Sequence, residues 1–264
     1  MTAAELQAAA EKLDALAGKV EGLIRSVGPA VEAALANQLI PDELGNAARY
    51  AASAFVKQAR TGLAEINKCQ TTAALLVHSE VKELCAGWRM IGTDAENLAA
   101  EMDAVVAVKD HWHGPAFDKY MGNRDKQIKA VGKVASIGKA TTAILDEAAD
   151  AEFEVMVKIV GAAALFVIAM NSALGMIAVV VTADKGLATA AGAIVLFLAA
   201  LAQALLQFGS KMTTLAEKLK TETEGQTDFG TGLWPEGATK DFRQATPEDP
   251  PDRTPVEDWE PNRK

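Results

Sequence analysis

The sequence predicts an all-α protein, built from long antiparallel helical hairpins, a two-helix hydrophobic hairpin and a disordered tail. Half of the 264 residues are apolar but only 5% are aromatic, and alanine supplies much of the apolar content. Alanine favours helices, whereas sheets are enriched in β-branched and aromatic residues. Six of the nine prolines lie in the last thirty residues, so the preceding chain contains few helix breakers.

Charge and cysteine content exclude several classes of protein. The net charge of −9 disfavours a nucleic-acid partner, because binding to phosphate backbones requires clustered lysine and arginine. Cys69 and Cys85 are too few for a disulfide scaffold. The first 16 residues lack the basic head and apolar run of a secretory signal. We therefore expect a protein that stays inside the cell or is secreted without a signal peptide.

The first predicted helix covers residues 2–36 and carries a narrow apolar seam. Apolar residues recur along it at intervals of three, four and seven, the spacing of a coiled coil. The seam residues are Leu6, Leu13, Leu16, Val20 and Leu23. A seam of this kind needs a second helix, in the same chain or another. We expect it to pair with a small helical partner protein or with a second copy.

A second long helix is predicted over residues 43–109, and a third begins at Pro115 and continues past residue 154. The second helix shows an apolar stripe that steps by alternating fours and threes: Leu84, Trp88, Ile91, Ala95, Leu98, Met102 and Val105. Glycine ends a helix well and proline is favoured in the first turn of the next, so Gly114 and Pro115 mark a turn. The predicted domains are an N-terminal helical hairpin of two long amphipathic helices (1–110) and a turn with the third helix (111–154).

The strongest feature is a hydrophobic hairpin over residues 155–221. Residues 159–182 and 187–210 each form a run of 24 without a charge, separated by Ala183-Asp184-Lys185-Gly186. Each run exceeds the roughly 20 residues that span a bilayer core. We therefore expect insertion into a lipid bilayer, with lysines that flank the outer ends held on the cytosolic side. The residues expected to carry insertion are Ile159, Phe166, Ile168, Leu174, Leu196, Phe197, Leu201 and Leu205.

Burial inside a soluble helical bundle is the alternative to membrane insertion of this hairpin. Apolar runs also form the buried helices of soluble bundles, and such a bundle would need apolar cover on every face of both helices. The upstream stripes are too narrow to provide that cover, which favours the membrane.

Residues 222–264 form an acidic, proline-rich tail that cannot bury enough apolar surface to fold alone, so we expect it to be disordered.

The sequence shows no catalytic constellation, and we expect a protein that is not an enzyme. Asp110, His111 and His113 lack the further histidine or cysteine that a zinc site would need nearby. No glycine-rich phosphate loop follows a strand. We therefore expect no metal, no cofactor and no small-molecule substrate.

The predicted turn carries a family resemblance. The segment Trp112-His113-Gly114-Pro115-Ala116-Phe117, placed between two long antiparallel helices, resembles the turn of the WXG family, the small helical-hairpin substrates of type VII secretion. Related secreted helical proteins carry a YxxxD or YxxxE signal after their second helix. The best counterpart here begins with Met90 and ends with Asp94, so methionine replaces the tyrosine. The resemblance implies leaderless export, and the altered signal implies dependence on a co-exported partner or retention in the cell.

These observations predict a non-enzymatic WXG-like effector or substrate that pairs with a helical partner and inserts its hydrophobic hairpin into a membrane. The alternative is a resident inner-membrane scaffold protein that is anchored by the hairpin and not exported. A purely soluble helical adaptor is a third possibility. We expect truncation at Asp150 to leave a soluble helical fragment, because the soluble and membrane-active parts should be separate.

Overall fold

The computed structural model describes residues 3–36, 40–71, 74–104 and 115–224. These ranges contain five α helices and one short 3-10 turn, and no strand. The elements are α1 (Ala3–Ala36), α2 (Asp42–Thr71), α3 (Ala74–Ala104), α4 (Pro115–Ala178), the 3-10 turn (Val180–Thr182) and α5 (Ala183–Glu224). The predicted all-α fold is confirmed. The predicted tail lies almost wholly outside the described residues.

The helix boundaries differ from the predicted ones in two places. The predicted helix over residues 43–109 is two helices, since α2 ends at Thr71 and α3 begins at Ala74. Thr71, the last residue of α2, has a β-branched side chain, which lowers helix propensity. In the other direction, α4 continues without interruption through residue 155, where a domain boundary was predicted.

The chain divides into two compact units. The first unit contains α1, α2, α3 as far as Gly87, α4 from Thr141, the 3-10 turn and α5 as far as Lys220. The second unit contains α3 from Trp88 and α4 as far as Ala140. Both long helices α3 and α4 therefore contribute to both units.

The first unit has one continuous apolar core shared by α1, α2, α4 and α5. Its largest fully buried side chains include Phe55 and Ile66 from α2, and Phe166, Met170 and Ile177 from α4. The α1–α2 hairpin therefore packs on the hydrophobic hairpin within this unit. The 3-10 turn also contacts both α1 and α2.

The second unit is held by a close crossing of α3 and α4. A Cβ atom added to Gly138 would lie 2.7 Å from the Cα atom of Gly92 and 3.1 Å from the carbonyl oxygen of Trp88. Only glycine allows the two backbones to approach so closely. Ala95, Val131 and Ala135 form the small buried core beside this crossing.

Arg124 of α4 caps the C-terminal end of α3 in the same unit. Its guanidinium donates to the carbonyl oxygen of Met102 from Nε (2.9 Å) and Nη2 (2.8 Å), and to that of Asp103 from Nη2 (2.7 Å). The last carbonyls of a helix have no partner within the helix, so a buried cation there satisfies them and complements the helix dipole. Arg124 is only 6% exposed.

The predicted apolar stripe on α3 is only half buried. Ala95 is buried, whereas Leu84, Ile91 and Leu98 are exposed. These three residues lie seven apart, at one edge of the stripe, and α4 covers the other edge through small residues. A glycine-mediated crossing brings the backbones together without covering the wider stripe.

Candidate functional site: the hydrophobic hairpin

The turn of the hydrophobic hairpin lies earlier than predicted. The predicted loop, Ala183 to Gly186, forms the first turn of α5, and the chain reverses over the 3-10 turn. The hydroxyl of Thr182 donates to the carbonyl oxygens of Met176 (2.7 Å) and Val179 (2.9 Å), and so caps the end of α4. Asp184 lies in the first turn of α5, where the helix dipole favours a carboxylate.

A glycine allows the two helices to meet next to this turn. A Cβ atom added to Gly186 would lie 2.7 Å from the carbonyl oxygen of Ala173 and 2.9 Å from the amide nitrogen of Ile177. Both contacts are with backbone atoms of α4, which cannot move aside as a side chain can. Gly186 therefore sets how closely α4 and α5 approach at the tip.

The inner face of the hairpin is buried against the α1–α2 hairpin. Phe166 and Phe197 lie on this face, with ring centroids 4.9 Å apart and planes at 21°. The ring of Phe166 also contacts α2, because a Cβ atom added to Gly62 would lie 2.3 Å from it. Among the predicted insertion residues, the buried ones are Ile159, Phe166, Phe197 and Leu201, and Leu174 is half-buried.

The outer face of the same hairpin is exposed. Leu165, Leu196 and Leu206 are 70%, 72% and 75% exposed. The other large apolar side chains that are exposed on this hairpin are Val157, Ile168, Val179, Val181, Val195, Leu198 and Leu205. Three of the predicted insertion residues, Ile168, Leu196 and Leu205, are therefore exposed. A continuous exposed apolar face of this kind is typical of an interaction or membrane surface.

Two helices are long and apolar enough to cross a membrane. They are Phe117–Ala178 and Val180–Glu224, and about 39% and 33% of their most apolar stretches are buried. The core helix of a soluble protein also satisfies a criterion of length and composition. Each of these two helices has one face covered by the core of the first unit and one face exposed.

Charged side chains from α4 and α5 meet at the base of the hairpin. The Lys158 ammonium lies 2.8 Å from the Glu154 carboxylate and donates to the amide oxygen of Gln207 at 2.8 Å. The Glu147 carboxylate lies 3.2 Å from the Lys211 ammonium and 3.4 Å from that of Lys218.

These ion pairs shift the pKa values of both carboxylates. Hydrogen bonding from Lys211, followed by the charge of Lys218, lowers the pKa of Glu147 below its ordinary value. Hydrogen bonding from Lys158 lowers the pKa of Glu154 in the same way. The pairs of Glu147 join α4 to α5 where the apolar runs end, whereas Glu154 and Lys158 both lie on α4. All of these side chains reach solvent, so the pairs add little to stability.

Glu152 lies close by on α4 but is buried. It is only 4% exposed, and burial raises its pKa to about 7. A buried carboxylate is easier to accommodate in its neutral form. Glu152 is the group in this region whose charge changes nearest neutral pH.

The predicted partner seam on α1 is part of the core of the first unit. Leu6, Leu13 and Val20 are buried, and Leu16 and Leu23 are half-buried against the same core. The second helix that the seam needs is thus supplied by this chain. A separate protein would reach these residues only if α1 left its place.

The resemblance motif falls mostly outside the described residues. Trp112 and Gly114 lie there, and Pro115 begins α4 as predicted. The residues that align with the export signal, Met90 and Asp94, are both exposed on α3, and Met90 is 62% exposed. An exposed helix surface leaves both side chains accessible.

The described part of the chain holds no group of three metal-binding side chains. The histidine pair considered in the sequence, His111 and His113, lies outside the described residues. Cys85 is buried and its thiol donates to the carbonyl oxygen of Thr142 at 3.7 Å, while burial raises the pKa of the half-buried Cys69. Both thiols are packed against their neighbours, unlike a reactive cysteine in an electropositive, exposed site.

Sequence reasoning missed the cover that α1 and α2 give to the hydrophobic hairpin. The apolar seam on α1 was the one indication of this cover, because it requires a second helix from the same chain or from another. The pattern within residues 159–210 gave no further help, because inner and outer faces are equally apolar. No protein-family model matches this chain, and no curated protein and no solved structure matches it either.

Proposed function

We propose that this protein is a non-enzymatic, WXG-like type VII secretion substrate that inserts its hydrophobic hairpin into a membrane. The observation that carries the membrane part is the division of the hairpin into two apolar faces. One face is covered by α1 and α2, and the other exposes Leu165, Leu196 and Leu206.

The exposed face provides the first contact with a bilayer. Burial of a leucine or isoleucine side chain in an apolar environment is favourable by about 1.5–3 kcal/mol. Several such side chains lie exposed on this face, so adsorption to the hydrocarbon boundary removes a substantial apolar area from water. Adsorption requires no change in the packing of the first unit.

Full insertion requires α1 and α2 to separate from the hairpin. In lipid the inner face, with Phe166 and Phe197, exchanges contacts with α1 and α2 for contacts with acyl chains. For the hairpin itself the exchange costs little apolar burial because hydrocarbon replaces protein, whereas the core faces of α1 and α2 lose their cover. The α1 seam then becomes available to a small helical partner or a second copy, as the sequence led us to expect.

The export part of the proposal rests on the resemblance alone. The segment Trp112-His113-Gly114 supports it, whereas Met90 in place of the signal's tyrosine implies export with a co-exported partner. The second candidate is a resident inner-membrane scaffold protein, which the two apolar helices support equally. Both candidates place the hairpin in a bilayer and differ in where the protein is found.

Vesicle flotation with the full chain tests the membrane part. We expect the purified protein to float with phosphatidylcholine vesicles and to resist a carbonate wash. The double variant Leu165→Asn/Leu196→Asn should bind much less. Leu84→Asn/Leu98→Asn makes the same change at exposed leucines on α3 and should bind like the wild type. Equal binding by both variants, or no binding by the wild type, would contradict the proposal.

Fractionation of the producing cells separates the two candidates. Protein in the medium that disappears when the secretion machinery is deleted supports export. Protein found only in carbonate-washed membranes supports the resident scaffold.

A further inference from the structure

A groove made of two successive pockets follows the seam between α4 and α5. Its upper part is lined only by apolar side chains: Ala162, Leu165, Phe166, Ala169, Ala193, Leu196, Phe197 and Ala200. The stacked rings of Phe166 and Phe197 form part of its floor.

The lower part of the seam is polar. Here the lining includes Glu154 and Lys158 from α4, and Gln207 and Lys211 from α5. Along α4, residues 151, 155, 158, 162, 165 and 169 line the two parts in turn at intervals of three and four, so both lie on one helix face. The seam therefore combines an apolar trough with a charged end.

The ion-paired side chains of this cluster carry a net positive charge. Lys158, Lys211 and Lys218 contribute three positive charges, and Glu147 and Glu154 contribute two negative ones. A ligand group with a single negative charge would make this cluster neutral. Lysine suits a phosphate group, which it binds as a point charge.

The length of the groove also fits a lipid. From Lys158 to Ala169 the helix rises about 17 Å at 1.5 Å per residue. One leaflet of a bilayer has a hydrocarbon depth of about 15 Å, half of the full core. A chain lying in the trough would thus extend from the lysines to the far end of the apolar lining.

We propose that the α4–α5 groove binds one anionic phospholipid, with its phosphate at Lys158 and Lys211 and one acyl chain along Phe166 and Phe197. This inference rests on the proposed membrane function and names the lipid class that the hairpin selects. The site selects anionic membranes because the carboxylates Glu147 and Glu154 cannot neutralise all three lysines.

Flotation with two kinds of vesicle tests the head-group contact. We expect the full chain to bind vesicles of phosphatidylcholine with phosphatidylglycerol more tightly than vesicles of phosphatidylcholine alone. Lys158→Gln/Lys211→Gln should lose this preference, by about fivefold for each lysine. The control, Lys126→Gln/Lys129→Gln, removes the same charge from exposed positions of α4 outside the groove and should keep the preference.

A photoactivatable acyl chain tests the apolar contact. Phosphatidylglycerol with a diazirine in one chain should crosslink to the segments that carry Leu165 and Leu196. Ala200→Phe fills the groove and should reduce this crosslinking. Ala199→Phe adds the same ring next to it, at an exposed position outside the groove lining, and should not reduce it.

The outcomes separate this inference from the proposed function. No binding to either vesicle would overturn both. Binding without preference for phosphatidylglycerol, or an equal loss in the two lysine variants, would overturn the lipid site and leave membrane insertion standing. Equal crosslinking in the two alanine variants would also overturn the lipid site. A dimer in sedimentation that Ala200→Phe disrupts would overturn it too, because a second copy would then occupy the groove.

Discussion

The rings of Phe166 and Phe197 stack with their centroids 4.9 Å apart, on the inner face of the hydrophobic hairpin. This contact joins α4 to α5, and the ring of Phe166 also touches α2 at Gly62. The same aromatic pair thus belongs to the hairpin and to the surface that α1 and α2 cover. These two rings also line part of the α4–α5 groove.

Replacement of Gly62 should weaken the packing of α2 on the hydrophobic hairpin. In Gly62→Ala the new methyl group would lie 2.3 Å from a ring carbon of Phe166, so the stacked ring or α2 must move. Overpacking of a core typically costs about 1–3 kcal/mol. We expect urea unfolding to show a loss of this size, and vesicle binding to become faster. Gly161→Ala, on α4 with nothing near its Cβ, should bind at the wild-type rate.

Replacement of Gly186 should weaken the hairpin tip. In Gly186→Ala the methyl group would lie 2.7 Å from the carbonyl oxygen of Ala173, a backbone atom. We expect a loss of about 1–3 kcal/mol in the free energy of unfolding. Gly192→Ala makes the same change on α5 in open space, and should raise stability by about 0.5–1 kcal/mol. Thermal unfolding of the two variants would contradict this account if both shifted in the same direction.

Neutralisation of Glu152 should change how stability depends on pH. Burial raises the pKa of Glu152 to about 7 from 4.5, so the folded chain binds a proton more tightly than the unfolded chain. This tighter proton binding adds to the free energy of unfolding, and the addition is complete below pH 4.5. It decreases as the pH rises from 4.5 to about 7 and is absent at higher pH. The lowered pKa values of Glu147 and Glu154 act in the opposite direction and at lower pH.

The variant Glu152→Gln isolates this effect. We subtract the free energy of unfolding of the wild type from that of Glu152→Gln. This difference should be about 1–3 kcal/mol larger at pH 8 than at pH 5. Urea unfolding at both pH values measures this change. An equal difference at pH 5 and pH 8 would show that the Glu152 carboxylate does not titrate in this window.

Truncation at Asp150 should not leave the soluble fragment that the sequence led us to expect. Such a fragment loses α5 and the end of α4, which share one core with α1 and α2. The apolar side chains of that core, including Phe55 and Ile66, would lose part of their cover. We therefore expect aggregation in water and recovery by detergent. Size-exclusion chromatography that shows a soluble monomer would contradict a shared core.

The fold was predictable from the sequence in its main features, and the covering of the hairpin was not. Periodicity located α1 and the start of α4 at Pro115, because a proline and a regular seam constrain a helix locally. The faces of the hairpin were indistinguishable, since Phe166 and Leu165 are both apolar and only the packing of α2 separates them. The turn was misplaced because Ala183 to Gly186 contains charges, although Asp184 also suits the first turn of a helix.

The groove could not be predicted because it depends on two helices from one hairpin. Lysines were seen to flank the apolar runs, including Lys158 and Lys211. Their meeting in one charged cluster depends on how α4 and α5 align, which the turn at Val180–Thr182 determines. Sequence spacing within either helix carries no information on that alignment.

The central claim is that the hydrophobic hairpin enters the bilayer. Depth-dependent quenching of a fluorescent label tests this claim most directly. In a cysteine-free background, single cysteines would replace Leu196 on the outer face, Val181 at the tip and Tyr50 on α2, which are 72%, 78% and 71% exposed. The account predicts quenching at residue 196 by nitroxide on lipid acyl chains, quenching at residue 181 from inside the vesicle, and neither at residue 50. Labels at residues 196 and 181 that remain accessible only to a quencher in the outer solution would contradict insertion.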